Sequence, residues 1–275
     1  MEDMTRNVAV ITGASSGIGL ALTKHLLAKR WRVVQADIIQ SDLQIEHGAG
    51  DLLFVKTDVS SWDDQANLFK TAHEWAGQDK LSFLAANAGV ADTPGSLDML
   101  VGKVSPGESL QKPDTTPLFV NLVGVMQSVQ LFVHYAQLRG NEARIVVTSS
   151  GAGLYPMPSH PVYCASKHGV IGYTRSIAPN LPPGITLNCI CPGFVISNIT
   201  APLVGVIPKK YVTPMDAMMA AYDEFLSNEQ NHTGRVMEVS VLHRHWREPV
   251  PFLDEEQRWL SEDSGEFFLK AFGLA

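Results

Sequence analysis

Cysteine is scarce in this 275-residue chain, which holds only Cys164, Cys189 and Cys191. Their number is odd and their spacing matches neither a zinc site nor a disulfide framework, so we expect no metal site and no covalent cross-links. Cys189 and Cys191 fall in a strand-like run, where small buried hydrophobic residues are a better interpretation than a redox pair. The cysteine content therefore fits a reducing compartment.

Basic clusters and long apolar runs are also lacking. Lys and Arg number 21 against 28 Asp and Glu, and the formal charge of −7 argues against the phosphate-neutralising surface of a nucleic-acid-binding protein. No stretch approaches the ~20 apolar residues of a membrane span, and "MEDMTRNVAVITG" leaves no room for a secretory leader. We expect a cytoplasmic protein with no membrane span and no nucleic-acid partner.

Short β-branched runs alternate with longer amphipathic stretches along most of the chain. This alternation predicts an α/β fold of the Rossmann type, a doubly wound parallel seven-stranded sheet with helices on both faces. The strand candidates are residues 7–12, 32–37, 52–57, 81–87, 143–149, 185–190 and 234–241, and the helix candidates are roughly 17–30, 62–77, 116–138, 161–178 and 213–227.

Two regions do not follow the alternation. Residues 91–117 carry several Pro and Gly without periodicity and are predicted to form a long loop. Residues 246–275 add no βαβ unit, so we predict one catalytic domain over 1–245 followed by a C-terminal extension. The extension is expected to wrap the domain, cover the active site or contact a partner subunit.

The segment "TGASSGIG" follows the first strand and opens the first helix, the context in which glycine spacing indicates a dinucleotide site. Gly13 permits a tight turn, Gly17 lets the backbone approach a pyrophosphate, and Gly19 lets the helix pack closely on the strand. Asp37 ends the second strand, about 20 residues on, where a carboxylate accepts hydrogen bonds from ribose hydroxyls. No Arg or Lys stands nearby to receive a 2′-phosphate, which predicts NAD rather than NADP.

Tyr163 and Lys167 are four residues apart and therefore share one face of a helix. An ammonium about 4 Å from a phenolate contributes roughly 4 kcal/mol at an effective dielectric of about 20. Lowering the tyrosine pKa from about 10 to about 7 needs a similar amount. The pair is common on surface helices, but "TSSG" at 148–151 closes the preceding strand, at the sheet edge where α/β proteins bind ligands. We therefore predict an acid/base tyrosine.

Seven motifs occur in one order from Thr12 to Ser197: "TGASSGIG", "TDVS", "ANAG", "VNLVG", "SSGAG", "YCASK" and "CPGFVIS". Together they resemble the short-chain dehydrogenase/reductase family. The resemblance implies four catalytic residues: Ser150 to hold the substrate oxygen, Tyr163 to transfer the proton, Lys167 to lower the tyrosine pKa and bind ribose, and Asn121 to hold a relay water. The thirteen-residue distance to the tyrosine selects Ser150 over Ser149.

The same resemblance implies the cofactor contacts. They are Gly13, Ser15, Ser16, Gly17, Ile18, Gly19, Asp37, Asp58, Val59, Asn87, Ala88, Gly89, Tyr163, Lys167, Pro192, Gly193, Val195 and Ser197.

The stretches "PVYCASKHGVIGYTRS" and "NCICPGFV" resemble more narrowly the NAD-dependent 15-hydroxyprostaglandin dehydrogenase-like branch. This implies an apolar alcohol or ketone substrate, with residues 194–226 as its lid. His160 stands where that branch carries glutamine, so it either contacts substrate or faces solvent. The expected pocket residues are Tyr155, Met157, His160, Met215 and Met219, although the methionines also fit an ordinary core stripe.

The function expected from these features is NAD-dependent interconversion of a secondary alcohol and a ketone, with oxidation as the working direction. Isomerase, lyase or cyclase chemistry is the alternative among enzymes, and a non-redox NAD-binding sensor or scaffold is the alternative outside them. The helices at 116–138 and 161–178 resemble those that form family homodimers or homotetramers.

Overall fold

The computed structural model describes residues 5–42, 50–93, 112–138, 142–227 and 231–273, with the single positions 102, 107, 109 and 140. Most of the predicted loop at 91–117 lies outside this part. The described residues form one eight-stranded sheet in the order β3-β2-β1-β4-β5-β6-β7-β8. The strands are β1 Asn7–Thr12, β2 Arg32–Asp37, β3 Leu52–Lys56, β4 Lys80–Ala86, β5 Ala143–Thr148, β6 Ile185–Pro192, β7 Val236–Ser240 and β8 His243–Trp246.

Helices cover both faces of the sheet. Their bounds are α1 Gly17–Ala28, α2 Trp62–Ala76, α3 Gly124–Gln137, α4 Pro161–Ile177, α5 Met215–Ser227, α6 Glu255–Glu262 and α7 Gly265–Ala271. One core cluster packs α2, α3 and α4 against the sheet, and a second packs α1 and α5 against the opposite face. The predicted Rossmann-type fold is confirmed.

The first seven strands are parallel, and their order reverses between β1 and β4. In such sheets ligands bind beyond the carboxyl ends of the strands, at the point of reversal. The turn after β1, the segment after β4 and the loops after β5 and β6 all leave this edge, and every predicted catalytic motif lies in them or in the helices that follow.

An eighth strand, β8, was not predicted. It pairs antiparallel with β7 and extends the sheet to Trp246, whose ring packs edge-on against Phe225 at 5.6 Å. The reversal between the strands places Val241 at φ +54°, an unfavourable conformation for a β-branched residue, and the Val241 amide donates to Thr213 Oγ1 at 2.9 Å. The sheet thus continues one residue beyond the predicted domain boundary at 245.

A π-helical turn, Phe119–Val123, precedes α3 and follows the short helical turn Thr116–Leu118. The combined run Thr116–Gln137 has 22 residues, and an 18-residue window within it has a mean hydropathy of 1.4, so by length and composition alone it qualifies as a membrane span. By length and composition this run departs from the expectation that no stretch approaches a membrane span, although the core helix of a globular domain passes the same test. Its apolar side chains include Val125, Val129 and Phe132, which lie in the core between the sheet and α2, as in the core helix of a globular domain.

Beyond β8 the C-terminal extension forms the short helices α6 and α7. Asp254 caps α6 by accepting a hydrogen bond from the Gln257 amide at 2.8 Å. The Trp259 and Phe267 rings lie 5.5 Å apart and join the two helices. Ser264 is the one buried residue between 247 and 273, so the extension stands out from the domain.

Candidate active site

The glycine-rich turn has the close contacts that its spacing predicts. Gly13 has φ +62°, and a Cβ there would lie 2.7 Å from the Ala88 Cα. A Cβ on Gly19 would lie 2.2 Å from the Gly13 carbonyl oxygen, which places α1 directly against the turn. Gly17 has φ +50°, and its Cβ would lie 2.9 Å from the Ser197 Cβ. Side chains at these positions would collide with Ala88, the Gly13 carbonyl and Ser197, so glycine is required to form the cradle that the spacing predicts for a pyrophosphate.

Asp37 and Ser15 meet across this turn. The Asp37 carboxylate, at the end of β2, accepts from the Ser15 amide at 2.9 Å. The Ser15 hydroxyl is buried and has no hydrogen-bond partner among the described residues. Buried hydroxyls normally have a partner, so this one is suited to bind a polar ligand in the glycine-rich turn. Ser16, in extended conformation, precedes α1, and Ile18 on its first turn packs against the core.

The ends of β3 and β4 form the floor of the same crevice. Thr12 Oγ1 accepts from the Asn87 and Ala88 amides at 3.0 and 3.1 Å, tying the end of β4 to the end of β1. Val59 is buried, whereas the Asp58 carboxylate is exposed and accepts from the Ser60 amide and hydroxyl.

The segment after β6 closes the crevice from the other side. The Gly193 amide donates to the Val239 carbonyl at 2.7 Å, which holds the segment beside β7. Pro192 and Val195 are buried, and Ser197 lies against Gly17 as described. The predicted cofactor residues therefore lie together at the carboxyl edge of the sheet, around the point where the strand order reverses.

Lys167 lies on α4 and points into this edge. Its side chain is buried, and Nζ donates to the Thr148 carbonyl at 2.7 Å. A Cβ on Gly89 would lie 3.4 Å from the same Nζ, so the backbone after β4 runs beside the ammonium. Burial lowers the pKa of Lys167 to about 8, below its ordinary 10.5.

Tyr163 stands one helical turn before Lys167, and the ammonium lies 5.7 Å from its ring centroid. The predicted lowering of the tyrosine pKa is wrong for the protein without cofactor. Burial of the ring raises the pKa of Tyr163, and its hydrogen bond with Ser150 opposes this rise. Because Lys167 directs its hydrogen bond to the Thr148 carbonyl, the ammonium alone does not supply the expected stabilisation of a phenolate.

Ser149 and Ser150 have different roles, as the spacing argument predicts. The Ser149 hydroxyl is buried and donates to the Lys167 backbone carbonyl at 2.7 Å, so it holds α4 against the end of β5. The Ser150 hydroxyl accepts from the Ala152 amide at 3.1 Å and bonds the Tyr163 side chain. Only Ser150 is placed to share a substrate oxygen with the tyrosine.

Asn121 lies within the π-helical turn and is fully buried. Its Oδ1 accepts from the Val90 amide at 2.8 Å, and its Nδ2 donates to the Val90 carbonyl and the Ser166 hydroxyl, both at 2.9 Å. Ser166 in turn donates to the Tyr163 carbonyl at 2.7 Å. Both amide hydrogens are engaged, so this side chain clamps the segment after β4 to α4 and has no free hydrogen to give a water.

Sequence reasoning missed Asp92. Its two carboxylate oxygens accept from the amides of Val162 and Tyr163 at 3.1 and 2.6 Å. These are the free amides of the first turn of α4, because Pro161 has no N–H and His160 provides no side-chain cap. Asp92 follows "ANAG" by three residues, and only tertiary structure brings it to the helix that carries the tyrosine.

The expected substrate-pocket residues are not all brought together. The Tyr155 hydroxyl bonds Glu238 of β7 at 3.1 Å and also bonds Arg247, so it anchors its loop to the sheet and the extension. Met219 is buried in the α5 core, which favours the core-stripe alternative, and Met215 packs against that core. Met157 is exposed, and the His160 ring bonds the neighbouring Ser159 hydroxyl at 2.9 Å.

The described residues contain no cluster of His, Cys, Asp and Glu fit to hold a metal ion. The crevice does fit a nicotinamide dinucleotide, since the glycine cradle, the unpartnered Ser15 hydroxyl and the Asp37 carboxylate match its pyrophosphate and ribose.

Comparisons with known proteins agree with this geometry. A sequence model described as short chain dehydrogenase matches residues 7–205. The chain is 30% identical to the short-chain dehydrogenase/reductase prx6 of Penicillium rubens, over 88% of this chain and 87% of that protein. It is 36% identical to the human 15-hydroxyprostaglandin dehydrogenase [NAD(+)], over 70% of this chain and 69% of that one.

Among solved structures, a short-chain type dehydrogenase/reductase from Mycobacterium marinum superposes with a TM-score of 0.72 at 21% identity. The match covers 86% of this chain and 95% of that chain, and it supports the fold. Fold, site and sequence matches thus agree, and the chain belongs to the short-chain dehydrogenase/reductase family of nicotinamide-dependent oxidoreductases.

Proposed function

We propose that this protein is an NAD-dependent dehydrogenase that oxidises a secondary alcohol on a bulky apolar substrate to the ketone. The observation that carries the proposal is the juxtaposition of Ser150, Tyr163 and Lys167 beside a glycine cradle at one sheet edge. The name of the human relative supports NAD, and so does Asp37, whose carboxylate would repel a 2′-phosphate.

The roles follow from the contacts. Ser150 holds the hydroxyl of the alcohol beside Tyr163, and the Tyr163 phenolate removes the proton of that hydroxyl. NAD, when bound, supplies the acceptor for the hydride that leaves the alcohol carbon. Lys167, held by Thr148, presents its charge to the ribose and to the phenolate. Since the pKa of Tyr163 is raised in the protein alone, we expect the phenol to become an effective base only in the complex with oxidised cofactor, whose ring is positive.

An apolar substrate is supported by the residues that follow β6. The exposed side chains Ile196, Ile199, Leu203, Val206 and Tyr211 all belong to the predicted lid. The expected homodimer or homotetramer belongs to the same proposal and rests on the family resemblance of helices α3 and α4.

The test is NADH formation with a panel of secondary alcohols that includes hydroxylated fatty acids, prostaglandins, steroids and small alcohols, with NADP in parallel. We expect turnover with NAD and a long apolar alcohol. Tyr163→Phe should abolish turnover and leave NAD binding nearly intact, because the phenol hydroxyl is essential for the proton transfer but is only one of many expected cofactor contacts. Unchanged turnover in this variant would refute the mechanism.

The alternatives predict different results. An isomerase, lyase or cyclase would convert its substrate without net NADH formation, which mass spectrometry of the products detects. A sensor or scaffold would bind NAD and turn over no substrate.

A further inference from the structure

Two apolar surfaces of this chain lack a covering layer. We define the tail face as the apolar side chains of α6, α7 and the residue pair that follows, and the lid face as those of residues 200–212. The tail face exposes Trp259, Leu260, Phe267, Phe268, Leu269 and Phe272. The lid face exposes Leu203, Val204, Val206 and Tyr211.

The tail face needs a packing partner. Helices α6 and α7 have eight and seven residues, and isolated helices shorter than about 12–15 residues are only marginally stable in water. Their stability must therefore come from burial of an apolar face, yet Phe267 and Phe272 are 65% and 73% exposed. Trp259 and Phe267 lie against each other, and a group of exposed apolar side chains of this kind is typical of an interaction site.

The charges of the two faces are opposite. Residues 200–212 hold two basic side chains, Lys209 and Lys210, and no acidic one. Residues 254–270 hold six acidic and two basic side chains. Arg258 pairs with Glu255, Glu262 and Asp263, whereas no ion pair is recorded for Glu256 and Glu266 within the described part of the chain.

The two faces do not cover each other within one chain. The lid face follows the carboxyl end of β6, whereas β8 runs back along β7, so the extension begins at the amino end of β7, where the Arg247 amide donates to the Val236 carbonyl. Arg247 also pairs with Glu238, and its carbonyl accepts from Arg175. Both faces remain exposed in the single chain. Two complementary faces on one molecule are mutually satisfied by a two-fold pair, in which each copy supplies both.

We propose that the tail face of one copy docks on the lid face of a second copy, and that the second copy does the same in return. On the proposed function, the lid face covers the substrate, so each active site would be completed by the partner's extension. Substrate affinity would then depend on association of the two chains.

Complementary charge reversal tests this arrangement. The lid variant is Lys209→Glu/Lys210→Glu, and the tail variant is Glu256→Lys/Glu266→Lys. Each variant alone brings like charges together and should associate about tenfold more weakly than the wild type. In an equal mixture, the acidic lid meets a basic tail and the unchanged lid meets an unchanged tail. Light scattering is done at a concentration where each variant alone has a lower molar mass than the wild type. The mixture should regain the wild-type molar mass at this concentration.

The controls separate the alternatives. Lys24→Glu/Lys80→Glu makes the same charge change at two exposed lysines outside both faces and should keep the wild-type mass. Circular dichroism verifies that each variant is folded. Wild-type mass for both variants, or a monomeric wild type, would overturn the proposal. So would a mixture that stays dissociated, because a tail closing on its own lid is not rescued by a second chain.

Activity supplies an independent readout. If the contact completes the lid, the KM for the alcohol should be raised in each variant and restored in the mixture, with kcat less affected. If the mixture regains the wild-type mass but KM is the same in all samples, the contact between the two chains stands. The proposal that this contact covers the substrate is then refuted. Absence of turnover in the wild type with every alcohol would refute the proposed function, while the mass measurements would still decide the contact.

Discussion

Lys167 gives a quantitative test of how this site is built. The ammonium is buried, and burial lowers its pKa from 10.5 to about 8. Below pH 8 the lysine is protonated in both the folded and the unfolded chain, so the folded state bears the full cost of burying the charge. The difference between the two pKa values corresponds to about 3 kcal/mol of unfolding free energy.

The sign of the pH dependence follows from proton counting. Between about pH 8 and 10.5 the folded protein releases the Lys167 proton while the unfolded chain keeps it. The unfolded state then binds more protons, so the free energy of unfolding increases with pH in this window. Lys167→Met removes the titrating group and keeps a side chain of similar length.

Urea unfolding of the wild type and Lys167→Met, without cofactor, measures the effect. The unfolding free energy of the wild type minus that of the variant should increase by about 3 kcal/mol between pH 7 and pH 10.5. Loss of the hydrogen bond to Thr148 cancels in this comparison because it costs about the same at each pH. Lys24→Met, at an exposed lysine, should give a flat difference. A flat difference for Lys167 as well would refute the reasoning.

Three further predictions concern neighbouring side chains. Asp37→Ala should reduce the preference for NAD over NADP about tenfold, the equivalent of one charge-assisted hydrogen bond; equal native KM values for the two cofactors would contradict its role. Ser149→Ala should lower the unfolding free energy by about 1 kcal/mol. Ser150→Ala should lower kcat about a hundredfold with little effect on stability. The reverse pattern would show that Ser149, and not Ser150, is the catalytic serine. Asp92→Ala should lower the free energy of unfolding in urea by about 1–2 kcal/mol and also lower kcat, because the first turn of α4, which carries Tyr163, loses its cap. The control Asp254→Ala removes the cap of α6 and should leave kcat unchanged.

The sequence predicted the parallel strands and the cofactor crevice because both depend on local patterns. Strand periodicity, glycine spacing and each motif are local patterns of a few residues. The fold then brings the residues of these motifs to one edge of the sheet. The choice of Ser150 over Ser149 came from the family's spacing, and the buried bond of Ser149 to the Lys167 carbonyl gives its physical reason.

The rest depends on tertiary contacts that no local pattern encodes. Asp92 caps a helix 70 positions away, and β8 consists of "HRHW", which has a weak strand pattern and forms by pairing with β7. The direction of the Tyr163 pKa was mispredicted because the ammonium was expected about 4 Å from the phenolate. Lys167 instead bonds the Thr148 carbonyl, and burial of the tyrosine ring has the larger effect on the pKa. Tyr155 was placed in the pocket, but its hydroxyl is held by Glu238 and Arg247.

The added strand β8 changes which surface of the sheet is open to other chains. Without it, β7 would be a parallel edge strand with unpaired amides and carbonyls, the kind of edge that recruits a strand from another molecule. In its place the sheet ends in a strand of four residues that include His243, Arg244 and His245, and short, charged edge strands discourage such pairing. A chain shortened after Val241 would expose β7, and its first defect would be aggregation through the sheet edge rather than loss of the catalytic crevice.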